Sequence, residues 1–232
     1  MYLKHLSILN YKNIGQASLD FCDGLNCFVG PNGAGKTNLL DAIYYLAFCK
    51  SYFNAVDSQN IKHEEDFFVV QGRFERKEQD EDVYVALKRN QKKQFKRNKK
   101  EYSRLSEHIG LLPLVMISPS DERLIVEGSD QRRKYIDSVV SQYDKSYLDL
   151  LIRYNRALQQ RNTLLKNEQQ LTSSLQSQLD VWDEQMAAMK YFSIVRLLSS
   201  NWFLFFAISI VALAEVMRKW ILFTNHIISR AT

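Results

Sequence analysis

The chain has 232 residues, 46% hydrophobic and 25% charged, with a formal net charge of +5. That length supports one large or two small domains with a real core, and the composition is ordinary for a soluble globular protein. Cys22, Cys27 and Cys49 have no paired spacing and stand in no Cys/His cluster of zinc type, so a disulfide framework and a structural zinc site are both excluded. The opening MYLKHLSILNYKN turns polar within four residues and holds no signal-peptide core. A cytoplasmic, reduced protein with no membrane partner is expected. The mild positive charge permits a polyanionic partner without requiring one.

In chain order, residues 2–9 alternate loosely and read as a strand. Residues 17–21 and 25–29 read as two more, joined by a turn at Asp23-Gly24. Residues 36–48 read as a helix with Leu39, Leu40, Ile43, Leu46 and Ala47 on one face. Strands are expected over 67–74 and 83–88, with the intervening RKEQDED as a charged turn, and over the short apolar run 113–118. Ser129 is placed as the N-cap of a helix reaching about Gln142. From Lys145 to about Met189 there is no Pro or Gly, and leucines recur at three-and-four spacing. This predicts two long antiparallel helices hinged near 167–172. Residues Trp202–Ala214 are a run of 13, apolar apart from Ser209. A spanning helix needs about 20 such residues, so the run reads as a buried helix or as sequence foreign to the fold.

The residues that carry chemistry are Gly30–Thr37, GPNGAGKT, which fit the Walker A pattern in full. Glycines at 30, 33 and 35 let the backbone turn tightly and bring its N–H groups up to phosphate oxygens. Lys36 places a positive charge on the outer phosphates, and Thr37 offers a hydroxyl to Mg²⁺. The helix that follows points its positive dipole end at the anion. The ligand this predicts is a nucleotide, ATP, with Mg²⁺.

Four segments, taken together in this order, resemble the RecF family. They are NYKNI at 10–14, GPNGAGKTNLLDAIYYL at 30–46, SPSDERLIVEGSDQRRKYIDSVVSQ at 118–142 and VWDEQM at 181–186. The paired arginines Arg132 and Arg133 are the most specific of these signals. The resemblance covers roughly residues 1–189. It implies an α/β fold: an ABC-type P-loop ATPase head, with a mixed sheet around the P-loop helix and a second lobe of long helices. The corresponding division is 1–143 for the P-loop lobe, 144–198 for the helical lobe, and 199–232 for an atypical apolar tail foreign to the fold. RecF-like proteins bind ATP, form homodimers around it and bind single-stranded and gapped DNA. They act with recombination mediator proteins, support recombinase loading and take part in the SOS response. Carried onto this sequence, Gly30, Pro31, Asn32, Gly33, Ala34, Gly35, Lys36 and Thr37 would cradle the phosphates with Asn38 at the edge, Thr37 would reach the metal, and Lys12 and Asn13 would lie near the nucleotide.

The sequence also departs from the family. Neither an apolar strand ending in Asp-Asp or Asp-Glu nor a signature motif occurs in it, and Asp121, set off from the apolar run by Pro119 and Ser120, is a poor substitute. Little or no hydrolysis is therefore expected, and a truncation or reading-frame change is expected near 190–200. No catalytic residue is assigned. The segment 88–100 holds eight basic residues in thirteen. Lys92, Lys93, Lys96 and Arg97 are the candidate contacts to a DNA backbone, favoured by counterion release. The other reading of the segment is a solvated hairpin arm. Arg132 and Arg133 suit a structural or interface role. The alternative functions to set against a DNA repair ATPase are a P-loop small-molecule kinase and a transporter ATPase subunit.

Overall fold

The computed structural model describes residues 1–118, 121, 129–167 and 173–199. The chain divides into two compact units, Met1–Lys145 and Ser146–Thr232. The apolar tail expected at 199–232 lies outside the described residues, apart from its first residue.

The first unit is built on a six-stranded sheet of order β2-β1-β3-β4-β5-β6. The strands are β1 (Tyr2–Tyr11), β2 (Ile14–Asp20), β3 (Phe67–Arg76), β4 (Gln79–Lys88), β5 (Gln94–Arg97) and β6 (Lys100–Glu101), and every pairing is antiparallel. Alternation places Leu6 and Ile8 of β1, Phe68 and Val70 of β3, and Val83 and Val85 of β4 on one buried face. The P-loop helix α1 (Lys36–Phe48) packs across that face. Its approach is close because β3 carries Gly72, where an added Cβ would stand 2.6 Å from a methyl of Leu46. Each large aliphatic or aromatic side chain buried here contributes roughly 1.5–3 kcal/mol.

Helix α1 is covered more widely than a single apolar stripe implies. Leu39, Asp41, Ala42 and all of Tyr44–Phe48 are buried, whereas Leu40, expected on the inner face, is 43% exposed. The helix ends at Cys49, which adopts φ 57 and donates its N–H to the Tyr45 carbonyl.

The first hairpin is tighter than the sequence suggested. β1 continues to Tyr11, which pairs with Ile14, so Lys12 and Asn13 form a two-residue loop with Lys12 at φ 53. The charged stretch between the third and fourth strands is ladder rather than loop. Arg76 pairs with Gln79, and only Lys77 and Glu78 turn, both at positive φ. Two expected strands are absent. Residues 25–29 and 113–118 are apolar segments outside the sheet; Leu25, Val29, Val115 and Ile117 are exposed, while Phe28, Leu114 and Met116 pack against the core. No strand lies beside either among the described pairings, so neither has a ladder to join.

Helix α2 (Ser129–Tyr143) starts at the expected cap position and completes the first unit. The second unit holds α3 (Lys145–Asn167) and α4 (Ser173–Ser199), and the hinge expected near 167–172 lies outside the described residues apart from Asn167. The two helices run antiparallel. Arg161 of α3 meets Asp183 of α4 at 2.6 Å, and Ala157, Leu175 and Leu179 are buried.

Candidate functional site

Gly33 and Gly35 adopt φ 84 and φ 95, a region in which side chains are strained. These two positions turn the loop so that it opens directly into α1. The first turn of α1 carries no acidic residue and no side-chain cap. Its orphan N–H groups and dipole therefore face the loop, the arrangement that binds a phosphate. Pro31, Asn32, Gly33, Ala34 and Thr37 line the loop and the start of α1 and are exposed, while Gly35, Lys36 and Asn38 are half-buried. Thr37 stands on the first turn, next to Lys36, where its hydroxyl suits a Mg²⁺ held mainly by phosphate and water oxygens. Among the described residues there is no cluster of three or more His, Cys, Asp or Glu that could hold a metal. An open cleft of about 540 Å³ runs from Gly35, Lys36 and Leu39 to Gln16 and Ala17 of β2 and to Phe28 and Val29.

The Lys36 ammonium donates to the carbonyls of Gly30 at 2.7 Å and Pro31 at 2.8 Å. Those oxygens occupy its donors where phosphate oxygens would otherwise do so. A nucleotide entering the loop has to replace two neutral acceptors with charged ones, and the exchange favours the anion because charge-assisted hydrogen bonds are the stronger.

Behind the loop lies a polar centre with no motif to announce it. Asp41 is fully buried on α1 and accepts from four donors: the Tyr11 hydroxyl at 2.6 Å, the Ser51 hydroxyl at 2.7 Å, the Tyr52 N–H at 2.7 Å and the Lys12 ammonium at 2.6 Å. Burial and then the Asp41 charge push the Tyr11 phenol well above its ordinary range, so it remains a donor. Lys12 also stands over the Phe53 ring at 5.2 Å. Lys12 is thus turned to Asp41, while its neighbour Asn13 sits on the loop. The Asn13 amide donates to the Gly33 carbonyl at 2.7 Å and accepts from Asn38 at 2.8 Å. The only advance signal for Asp41 is an acid on a helical stripe shared with Tyr45 and Phe48. Tyr11, Ser51 and Tyr52 gave none.

Asp121 accepts from the Tyr52 hydroxyl at 2.5 Å and from the Ser118 N–H at 2.6 Å. Its carboxylate is committed to holding its own segment.

The basic segment divides. Lys93 bonds the Cys49 carbonyl at 2.6 Å, Asp57 at 2.7 Å and the Tyr45 hydroxyl at 3.1 Å. It thereby caps the negative end of α1. Arg97 makes a two-pronged pair with the buried Glu81 and lowers its pKa. Lys96 lies over the Tyr84 ring at 5.7 Å. Lys92 and Lys99 are exposed on the β4–β5 and β5–β6 turns, and Lys100 is exposed at the start of β6. Arg133 pairs with Asp130 one turn away on α2. His108 is fully buried. It bonds the Leu46 carbonyl at 2.7 Å and the Tyr102 hydroxyl at 3.0 Å, and burial lowers its pKa to about 4.

The family model described as an AAA domain matches residues 5–199. The DNA replication and repair protein RecF of Phocaeicola vulgatus is 62% identical over 189 residues, 81% of this chain and 50% of the relative. That of Porphyromonas gingivalis is 45% identical over 169 residues, 72% of this chain and 46% of the relative. The chain spans about half the length of the relatives it matches. Among solved structures, the recombination mediator protein RecF of the RecFOR pathway superposes in its RecF-ATPrS structure with a TM-score of 0.75 at 34% identity, over 83% of this chain and 52% of that one. Its RecF-ATP structure gives a TM-score of 0.74 over the same shares. Among the described residues, no helix is long and apolar enough to cross a membrane.

Proposed function

We propose that this chain, which belongs to the AAA-domain family and is RecF-like in sequence and fold, binds ATP on its Gly30–Thr37 loop as part of a DNA replication and recombinational repair protein. The observation that carries the reading is the loop itself, with Gly33 and Gly35 at positive φ leading into the uncapped first turn of α1. Lys36 and the first-turn N–H groups hold the phosphates, and Thr37 holds the Mg²⁺ that ATP brings. When bound, Mg²⁺ neutralises charge between the outer phosphates.

On its own residues the chain binds ATP rather than hydrolysing it. Hydrolysis needs a carboxylate at the metal and a group that orients water. Asp41 on α1 and Asp121 after the apolar run 113–118 are both engaged by other donors. The ATP-dependent homodimer, the recombination mediator partners, recombinase loading and the SOS response follow from the RecF likeness and belong to the whole protein.

DNA is the proposed polyanionic partner. Lys92, Lys96, Lys99 and Lys100 are the side chains left to meet a phosphate backbone once Lys93 and Arg97 are committed inside the fold. Titration calorimetry with ATP tests the loop, and Lys36→Ala should weaken binding at least tenfold. Salt-dependent DNA binding tests the surface. Alanine at the four lysines should lower affinity and flatten the salt dependence, and an unchanged salt slope removes that surface from the reading. DNA binding absent even at low salt would favour a small-molecule kinase.

A further inference from the structure

The β1–β2 hairpin presents its loop to the phosphate site through one side chain. Asn13 donates through Nδ2 to the Gly33 carbonyl at 2.7 Å and accepts through Oδ1 from Asn38 Nδ2 at 2.8 Å. The orientation of the amide is determined by chemistry, because a carbonyl only accepts and so must face the NH₂ group. The same carboxamide occupies the space beside Gly35, where an added Cβ would stand 2.9 Å from Oδ1. One amide therefore bridges the crown of the loop and the first turn of α1.

Its mounting is rigid. Lys12 is held by Asp41 at 2.6 Å, and their side chains are 11% and 0% exposed. The Lys12 N–H bonds the Asn60 carbonyl at 2.8 Å, and the Lys62 N–H bonds the Asn10 carbonyl at 2.9 Å. Tyr11 is fully buried and donates to the same Asp41 oxygen, Oδ2, that Lys12 meets. The loop itself has few restraints of its own, being exposed through most of its length.

We infer that Asn13 is a positioning residue of the phosphate loop. It draws the Gly33 carbonyl outward and ties it to Asn38, so that the loop keeps its N–H groups inward before a nucleotide arrives. Binding then costs less ordering, which appears as affinity. The inference rests on the loop being an ATP site.

The test is ATP titration of the full chain, with thermal unfolding of each nucleotide-free variant measured alongside. Asn13→Ala should weaken ATP about tenfold, since two hydrogen bonds are lost, with the unfolding midpoint within about 2 °C of the unaltered chain, as expected for a surface substitution. Asn13→Asp should be no better, because a carboxylate cannot donate to Gly33. Asn38→Ala should weaken ATP about threefold, and adding it to Asn13→Ala should cost little more. If Asn13→Ala does not fold, Asn38→Ala carries the test alone. ATP affinity within twofold of the unaltered chain in Asn13→Ala, or in Asn38→Ala where that variant stands alone, while Lys36→Ala loses it, overturns the inference and leaves the ATP site standing. No ATP binding by the unaltered chain overturns both.

Discussion

Two kinds of apolar extended sequence occur in the first unit, and they meet different fates. Val83 and Val85 of β4 are completely buried, each in a strand with a neighbour on both sides. Residues 25–29 and 113–118 are as apolar, yet Leu25 is 89% and Val29 95% exposed. The difference is not in the side chains. A strand needs backbone partners, because an unpaired N–H or C=O leaves the ladder unmade whatever the residue beside it prefers. The paired strands therefore bury whole side-chain faces, whereas the unpaired segments bury only single residues, Phe28, Leu114 and Met116, against the core.

The largest expected effect tests the paired half. Phe68 is fully buried between the rings of Tyr11 and Tyr45. Phe68→Ala should cost about 3–5 kcal/mol in urea unfolding, the range for a buried aromatic cut to a methyl. A cost under about 1 kcal/mol would mean that the sheet and α1 do not form one core in solution.

A second effect, of about 3 kcal/mol, should come from pH. Burial lowers the pKa of His108 from 6.5 to about 4, and each tenfold loss of proton affinity corresponds to about 1.4 kcal/mol. Between those values the unfolded chain binds the proton and the folded chain does not. The contribution is thus complete above about pH 6.5 and falls away as the pH drops toward 4. Urea midpoints measured across that window should decline in the unaltered chain and decline less in His108→Gln. Equal slopes would place His108 in contact with water.

The smallest effect tests the unpaired segments. Val29→Ser should change stability by no more than about 0.5 kcal/mol, as at an ordinary surface position. A cost like that of a core valine would show the segment packed in solution and would erase the contrast.

Much of this was legible in the residues because the causes were local. The phosphate loop is written in eight consecutive residues, since positive φ asks for glycine and phosphate charge asks for lysine. The long helices announced themselves by spacing and by the lack of Pro and Gly. The strand ends were less legible. The ladder from Arg76 to Gln79 uses charged residues whose place was set by their partners, and Glu81 faces inward only because Arg97 meets it there.

By itself, then, the sequence determined the phosphate chemistry, the helical second unit and the family. Tertiary structure alone decided which cations remain for a partner, which apolar segments become strands, and how the loop is held. Asp41 draws its donors from Tyr11, Lys12, Ser51 and Tyr52. Asn13 reaches 20 residues along the chain to Gly33. Such contacts have no period and no spacing. They exist only once folding brings distant residues within hydrogen-bond reach. The loop that was plainest in the sequence is therefore supported by the residues that were least visible in it.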